Sequence, residues 1–367
     1  NTPVEESDFQ IVATADKYRE MQAKTGNIHV PRFTLKEIDP ADVWATHTHF
    51  VVEPVEEADR VIIEENSASI MFSGIDKAGF EEGTPLQFDI TGLTPGKKYD
   101  GVKAYICDNI QSNSIEFTTE KDKQVPNAGF DDWYNEKVWS HKTEVFGVGA
   151  GIDIYREYPK ARNEEDFWAT RNALTTAQSS ETTCYYTSYS GTRPVDGAAE
   201  ISTLGYGTGS TYIETEGGGI CKHIAAGMLF IGEHSASSET EETITYGRPF
   251  ESRPTSLSFK YKYAPYNNES FEAYIVVENR DNNKVTELGR GALTSNEAIN
   301  SFQDKNIVIE YTNKALKATH MYIVFCSSTA EAPQVQQVRG SINGLKGYSD
   351  SKRVGSVLTV DDIVLNY

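Results

Sequence analysis

The sequence predicts an all-β protein in two domains, and three observations carry that expectation. First, 20 of the 367 residues are Tyr and 16 are Phe, against 4 Met, and aromatic side chains fit a pleated, half-buried surface better than a helix. Second, short apolar or alternating runs recur along the chain between Pro, Gly, Asn and acidic turns, which is the pattern of strands. Third, Glu120-Lys-Asp-Lys-Gln-Val-Pro126 is charged, ends on proline and lacks apolar periodicity, the composition of an interdomain connector. The border therefore falls near residue 124, giving domains 1–124 and 125–367, each long enough to bury its own core.

The first domain opens on a polar stretch in which Asp16-Lys-Tyr-Arg-Glu-Met-Gln-Ala-Lys-Thr-Gly26 reads as one short helix stopped by glycine. Strands follow at His29–Lys36, His49–Glu53, Arg60–Glu64 and Ser69–Ser73. In Leu86-Gln-Phe-Asp-Ile-Thr-Gly-Leu-Thr-Pro-Gly-Lys-Lys-Tyr99, the Leu-x-Pro-Gly-x-x-Tyr portion resembles the corner of a fibronectin type III or related immunoglobulin-like sandwich. That resemblance implies a Tyr99 hydroxyl bonded back to the backbone and a ring in the core. Val102, Ala104 and Ile106 fall on the opposite parity from Tyr99. A one-residue slip turns a strand over, so a bulge at Gly101 is inferred. Ser114–Thr119 supplies the last strand.

In the second domain, strand signals stand at Glu144–Val148, Ala198–Thr203, Ala225–Gly232, Leu257–Tyr263, Phe271–Glu278, Asn306–Tyr311, His320–Phe325 and Ser356–Val360. The longest intervening loops, roughly 155–195 and 205–220, are where function resides on such a scaffold.

Asn127-Ala-Gly-Phe-Asp-Asp-Trp133 and Val360-Asp-Asp-Ile-Val-Leu-Asn-Tyr367 look like the opening and closing strands of one sandwich. Together they resemble the jelly-roll sandwiches of bacterial carbohydrate-binding modules. The turn Gly247-Arg-Pro-Phe-Glu-Ser-Arg-Pro254, feeding the aromatic strand to Tyr263, narrows the resemblance. It is similar to the putative carbohydrate metabolism domain family, found in surface lipoproteins of Gram-negative gut bacteria, over roughly residues 125–367. The fold expected is thus an immunoglobulin-like β-sandwich followed by a larger jelly-roll β-sandwich. The resemblance implies a secreted, outer-membrane surface or periplasmic protein of carbohydrate acquisition, bound to the membrane only through a lipid anchor that the chain does not contain. It also implies a structural calcium, because in the sugar-binding jelly rolls an acid after the opening Gly-Phe and an acid in the closing strand hold Ca²⁺ with backbone carbonyls. Those positions are Asp131 and Asp361, and hard oxygen ligands suit that ion.

Alternation within Val360–Leu365 sends one of Asp361 and Asp362 toward the buried side, where a carboxylate needs a cation or several donors. Sugars stack on exposed aromatic rings while neighbouring polar groups fix their hydroxyls. Trp168, in Asn163-Glu-Glu-Asp-Phe-Trp-Ala-Thr-Arg-Asn172, fits best, with Arg171 beside it. Tyr185, Tyr186, Tyr189, Tyr206 and Tyr212 form a second group in Tyr- and Gly-rich loops, whereas Trp133 and Trp139 belong with the core. Hydrolysis would need two carboxylates flanking a glycosidic bond. Glu164, Glu165 and Asp166 near Trp168 are the available acids, though a solvated loop also explains them. His47-Thr-His49 reads as a half-exposed strand pair, and Arg248 and Arg253 as braces of their own turn.

A formal charge of −20, from 54 acidic against 34 basic residues, excludes nucleic acid and anionic headgroups as partners and accommodates a glycan or a basic protein. No Gly-x-Ser-x-Gly elbow, P-loop or dinucleotide fingerprint is present. Cys107, Cys184, Cys221 and Cys326 contain no Cys-x-x-Cys pair and read as free thiols, with a Cys184–Cys221 bridge left open. No run of apolar residues is long enough to span a membrane, and a start at Asn1 suits a processed or trimmed polypeptide. The function expected is glycan binding without cleavage. A glycan-cleaving hydrolase on the same scaffold is the alternative, and a structural or adhesive subunit with cell-surface protein partners is a third reading.

Overall fold

The structure is a computed structural model that describes residues 8–10, 25–27, 34–53, 60–65, 70–76, 84–106, 110–145, 148–178, 186–187, 189–208, 223–338 and 353–367. The chain divides into two compact units, Asn1–Lys121 and Asp122–Tyr367.

The first unit is the immunoglobulin-like sandwich. Its labelled strands are β1 (His47–Glu53), β2 (Arg60–Glu65), β3 (Ile70–Asp76), β4 (Leu86–Thr91), β5 (Lys98–Ile106) and β6 (Ile115–Thr118). β6-β5-β2-β3 form one sheet, with Ile110–Gln111 beside β5, while Thr34–Leu35, β1 and β4 form the other. β1 and β4 alternate strictly between buried and accessible residues, and Phe50, Val52, Phe88 and Ile90 meet Val102, Ala104 and Phe117 in one core. The inferred bulge is present: Phe117 pairs with Tyr99 but Ile115 with Val102, and Gly101 sits at φ +69°. The extra residue lets Tyr99, Val102 and Ala104 all face inward. The Tyr99 hydroxyl accepts from the Thr94 backbone N–H at 2.9 Å, which is the expected corner. Of the expected helix at 16–26, residues 16–24 lie outside the described residues, and Thr25–Asn27 form a strand paired with Asp8–Gln10. His49 bonds Asp89 at 2.9 Å and His47 stacks on Trp44, both half-exposed.

The second unit begins with a hairpin of β7 (Tyr134–Val145) and β8 (Val148–Tyr158), and residues 146–147 lie outside the described residues. Sequence periodicity does not reveal this hairpin, because polar residues stand on both of its faces. Then come β9 (Trp168–Thr170), β10 (Ala198–Thr208), β11 (Met228–Ala236), β12 (Glu242–Tyr246) and β13 (Ser256–Ala264). β14 (Phe271–Asp281), β15 (Lys284–Ser295), β16 (Ile299–Val308), β17 (His320–Cys326) and β18 (Arg353–Asn366) complete the set. One antiparallel sheet runs β9-β11-β17-β14-β15, and the other runs from Tyr186–Thr187 through β10-β18-β13-β16. Phe259, Tyr261 and Tyr263 from the second sheet interdigitate with Phe271, Ile275, Ile323 and Phe325 from the first, making the core of a jelly-roll sandwich.

The opening and closing segments lie side by side. Ile363 N donates to Ala128 O at 2.9 Å, the Gln124 amide bonds both backbone groups of Leu365 in the manner of a strand neighbour, and Phe130 is fully buried. Alternation breaks at Asp362, whose φ is +49°. β18 carries one residue more than β13 between its pairings with Ser258 and Lys260, so Val360 and Ile363 both face inward. The expected inward carboxylate is therefore corrected: Asp361 is half-buried and Asp362 reaches Lys260 in solvent at 2.7 Å.

Candidate functional site

Beyond Ile231, strand β11 leaves the first sheet and pairs with β12. Gly232 permits this, since a Cβ there would overlap the Thr245 carbonyl oxygen. The hairpin folds its apolar side onto the outer face of the sheet. Ile244 packs with Met228, Phe230 and Val324, and Tyr246 stacks on Tyr322 with ring centroids 5.3 Å apart. Cross-strand pairing sets His234 opposite Ile244 and Ala236 opposite Glu242, so His234 and Glu242 share this inward side.

Arg171, at the end of β9, completes a chain of charged hydrogen bonds with them. Its Nε donates to Glu242 Oε2 at 3.0 Å, its second guanidinium nitrogen pairs with Glu242 Oε1, and Nη1 donates to Ala226 O at 3.1 Å. His234 Nε2 lies 2.9 Å from Glu242 Oε2. Burial pushes Glu242 up, but the hydrogen bonds from His234 and Arg171 outweigh it and hold the carboxyl down to about 2.

Beside this chain lies a cavity of about 280 Å³ between β8, β9, β11 and the Arg248–Pro249 strand. Tyr158 and Arg156 come from β8, Asp166 and Trp168 from the approach to β9, Glu233 and His234 from β11, and Arg248 from the turn after β12. Arg156 Nε donates to Thr176 Oγ1 at 2.8 Å, Asp166 pairs with Lys160 at 2.6 Å, and Arg248 pairs with Glu233 at 2.7 Å and bonds Gly232 O at 3.0 Å. Tyr158 stacks against Tyr134 at 4.7 Å, directly across the β7–β8 ladder. Buried Asn172 ties the segment after β9 to both Glu157 and Thr192 by its side-chain amide. The result is a small ionic, hydrogen-bonding enclosure with one half-buried phenol.

Several expected site residues stand elsewhere. Trp168 is 4% exposed, donates Nε1–H to Pro126 O at 2.8 Å and packs edge-on against Phe130, so only its rim reaches the cavity and no face is open for stacking. Tyr206 is equally buried, with its hydroxyl on Glu239 O, and Tyr189 packs against Leu204, Val354 and Val357. Trp168 and Tyr206 are packing residues because the sandwich is deep enough to enclose segments that read as polar, while Tyr189 is half-buried. Tyr186 begins a short strand paired with β10. Tyr185 and Tyr212 lie outside the described residues, as do Cys107, Cys184 and Cys221, while Cys326 is a free thiol. Arg171 does not line the cavity; it reaches it through Glu242 and His234. Trp133 and Trp139 are half-buried and donate to backbone carbonyls of Phe130 and Thr176. Arg248 braces its turn through Glu233, and Arg253 is 1% exposed. Tyr158, Glu233 and His234 carried no motif that would have singled them out.

Asp131 and Asp361 converge on Gly129, whose hypothetical Cβ would lie 3.3 Å from Asp131 Oδ2 and 4.0 Å from Asp361 Oδ1. Burial pushes the Asp361 carboxyl up, and the charges of Asp362 and Asp131 add to it. This hard oxygen pair fits Ca²⁺ in chemistry. No group of three or more His, Cys, Asp or Glu side chains suited to a metal stands among the described residues, so backbone carbonyls would have to complete a shell. Among the described residues, no helix is long and apolar enough to cross a membrane.

Among solved structures, the chain is similar to a putative glycoside hydrolase from Bacteroides thetaiotaomicron VPI-5482, at 15% identity and TM-score 0.37 over 89% of this chain and 87% of that one. It is also similar to a putative glycoside hydrolase from Bacteroides vulgatus ATCC 8482, at 18% identity and TM-score 0.36 over 64% and 97%. A carbohydrate-binding module specific for non-crystalline cellulose is similar at 10% identity and TM-score 0.24 over 48% and 79%. No curated protein matches the sequence. The family model that matches is the putative carbohydrate metabolism domain, over residues 129–288, a span that runs from the opening turn through β14 and includes every residue named in the cavity lining. Residues 129–288 of the second unit are thus similar to the putative carbohydrate metabolism domain.

Proposed function

We propose that the second unit binds a glycan in the β8–β9–β11 cavity without cleaving it, as part of a secreted, surface-displayed protein of carbohydrate acquisition. The observation that carries this reading is the cavity itself. At about 280 Å³ it is close to the lower end of ligand pockets, and its lining combines a phenol with two guanidinium groups, two carboxylates and an imidazole. Such a set orients hydroxyls from several directions. Affinity is modest, since each sugar hydroxyl exchanges bonds to water for bonds to protein at small net gain. The calcium expected from the closing strand belongs to this proposal too: Asp131 and Asp361 would hold it and tie the opening turn to β18.

Hydrolysis is the second reading, favoured by the presence of two carboxylates, Asp166 and Glu233, in one lining. Both side chains are largely exposed, at 62% and 66%, so amide substitution leaves the fold intact. The wild-type chain and the Asp166→Asn and Glu233→Gln variants are screened on a glycan array with reducing-end release assayed in parallel. Binding reads as array signal without release, weakened by the variants. Release by the wild type that either substitution abolishes would replace this proposal with a hydrolase.

A further inference from the structure

The second sheet carries a larger groove on its outer face, with β13 as the floor. Leu257, Phe259, Tyr261 and Tyr263 of β13 fill the core, so the alternate residues Ser258, Lys260 and Lys262 face outward. The groove, of about 600 Å³, crosses from Asp304, Lys305 and Asn306 on β16 to Asp362 and Val364 on β18 and ends at the opening turn. That volume lies within the range of ligand sites, about 300–1,000 Å³. Its polar groups are held in place by one another. Asn366 Nδ2 donates to Ser256 Oγ at 3.0 Å and to Ser258 Oγ at 2.9 Å, Ser258 Oγ donates to Asn306 Oδ1 at 2.9 Å, and Lys260 donates to Asp362 at 2.7 Å. Asn306 is exposed and fixed by its oxygen, which leaves its amide nitrogen to donate to a ligand. Apolar groups are interleaved with these. Val364 stands opposite Ser258, Val308 opposite Ser256, and Phe302 lies beneath the Lys262 ammonium, 4.5 Å from its ring centre. Three of the six large hydrophobic side chains exposed among the described residues thus share this face, and Phe302 and Val308 are separated by roughly 20 Å of strand.

We propose that this face is a second binding site of the unit and takes a neutral oligosaccharide laid along β13. It goes beyond the cavity reading, since the groove and the β8–β9–β11 cavity share no lining residue. The ligand class follows from the groove's own chemistry. A sugar ring has C–H faces and a rim of hydroxyls that donate and accept at once, which matches valines set between a serine, an amide, two ammonium groups and two carboxylates. Lys260 and Lys305 balance Asp304 and Asp362, so the lining has no net charge in a chain of −20 and no surplus cation to hold a polyanion. A peptide strand is disfavoured because β13 is hydrogen-bonded to β16 on one side and to β18 on the other, so the floor has no free ladder groups to pair with one. The ligand is held by side chains.

The test is titration calorimetry of the full chain with gluco-, manno-, galacto- and xylo-oligosaccharides and with oligogalacturonates. Wild type is compared with Asn306→Ala and Val364→Arg in the groove and with a double variant, Asp166→Asn with Glu233→Gln, in the cavity. Asn306 and Val364 are both exposed, so either substitution leaves the fold intact, and each decides the matter without the other. Asn306→Ala removes the amide donor, and Val364→Arg sets a long charged side chain across the groove. The expected result is a binding event with a neutral series that Asn306→Ala weakens about tenfold or more, that Val364→Arg abolishes and that the double variant retains. Wild-type isotherms in both groove variants, or loss of all binding in the double variant, overturn this inference and leave the cavity reading standing. Loss of all binding in the groove variants, with wild-type binding in the double variant, supports the groove and overturns the cavity as the site. Oligogalacturonates that bind more tightly than any neutral series and lose affinity in Asn306→Ala overturn the neutral class. Absence of binding by every series overturns both sites.

Discussion

Replacing Glu242 by glutamine removes the charge at the centre of the Arg171–Glu242–His234 chain while nearly preserving its shape. The folded chain holds the Glu242 carboxyl down to about 2 from 4.5, and at about 1.36 kcal/mol for each tenfold in proton affinity this corresponds to about 3 kcal/mol of preference for the ionised form. The side chain is 22% exposed, so solvent screening trims that figure. In the other direction, the substitution leaves Arg171 mostly buried without its counter-ion, and breaking buried pairs costs about 3–5 kcal/mol. The expected loss at pH 7 is about 2–4 kcal/mol. Because the folded carboxyl is the more acidic one, its stabilisation is complete above the unfolded value of about 4.5 and is lost as pH falls toward 2. Urea unfolding followed by tryptophan fluorescence reports the second unit, which holds Trp133, Trp139 and Trp168, while Trp44 is in the first. Wild type and variant should differ at pH 7, and the gap should close between about pH 5 and pH 2.5. Equal stability at pH 7, or a gap that stays constant down to pH 2.5, would refute the argument.

Two further outcomes follow from the fold. Tyr99→Phe deletes the hydroxyl that accepts from Thr94 N and should lower the stability of the first unit by about 1 kcal/mol, read from the Trp44 signal with the second unit unchanged; no change would mean that packing of the ring alone makes the corner. Adding Ca²⁺ at 100 times its dissociation constant should stabilise the second unit by about 2.7 kcal/mol in thermal unfolding, with Asp361→Asn abolishing the effect. An identical transition in Ca²⁺ and in chelator would end the calcium proposal.

The corner of the first unit was legible in detail because its information is local. The Pro-Gly turn, the corner tyrosine and the parity change after Tyr99 lie within one short stretch, and a bulge at Gly101 is the simplest way to bury Tyr99, Val102 and Ala104 together. The opening and closing segments of the jelly roll were legible for a related reason: Phe130 and the alternating tail are apolar where the core needs them. Other features resisted reading. The β7–β8 hairpin has polar residues on both faces, so no period marks it. The bulge at Asp362 depends on a β13 partner about 100 positions away, which no local parity argument contains.

The candidate site divides the same way. Residue type and neighbourhood were enough to draw attention to the segment from Asp166 to Arg171, and the cavity is built partly from it. Which of these groups point at a ligand was decided by folding. Trp168 turned its ring onto Phe130, and Arg171 found Glu242, 71 residues on. Strand order and burial have a local alphabet of period, turn and parity that a chain writes in consecutive residues. A constellation such as His234, Arg248 and Glu242 is assembled by sheet curvature and by the glycine that bends β11 out of its sheet, and those distances exist only once the chain has folded.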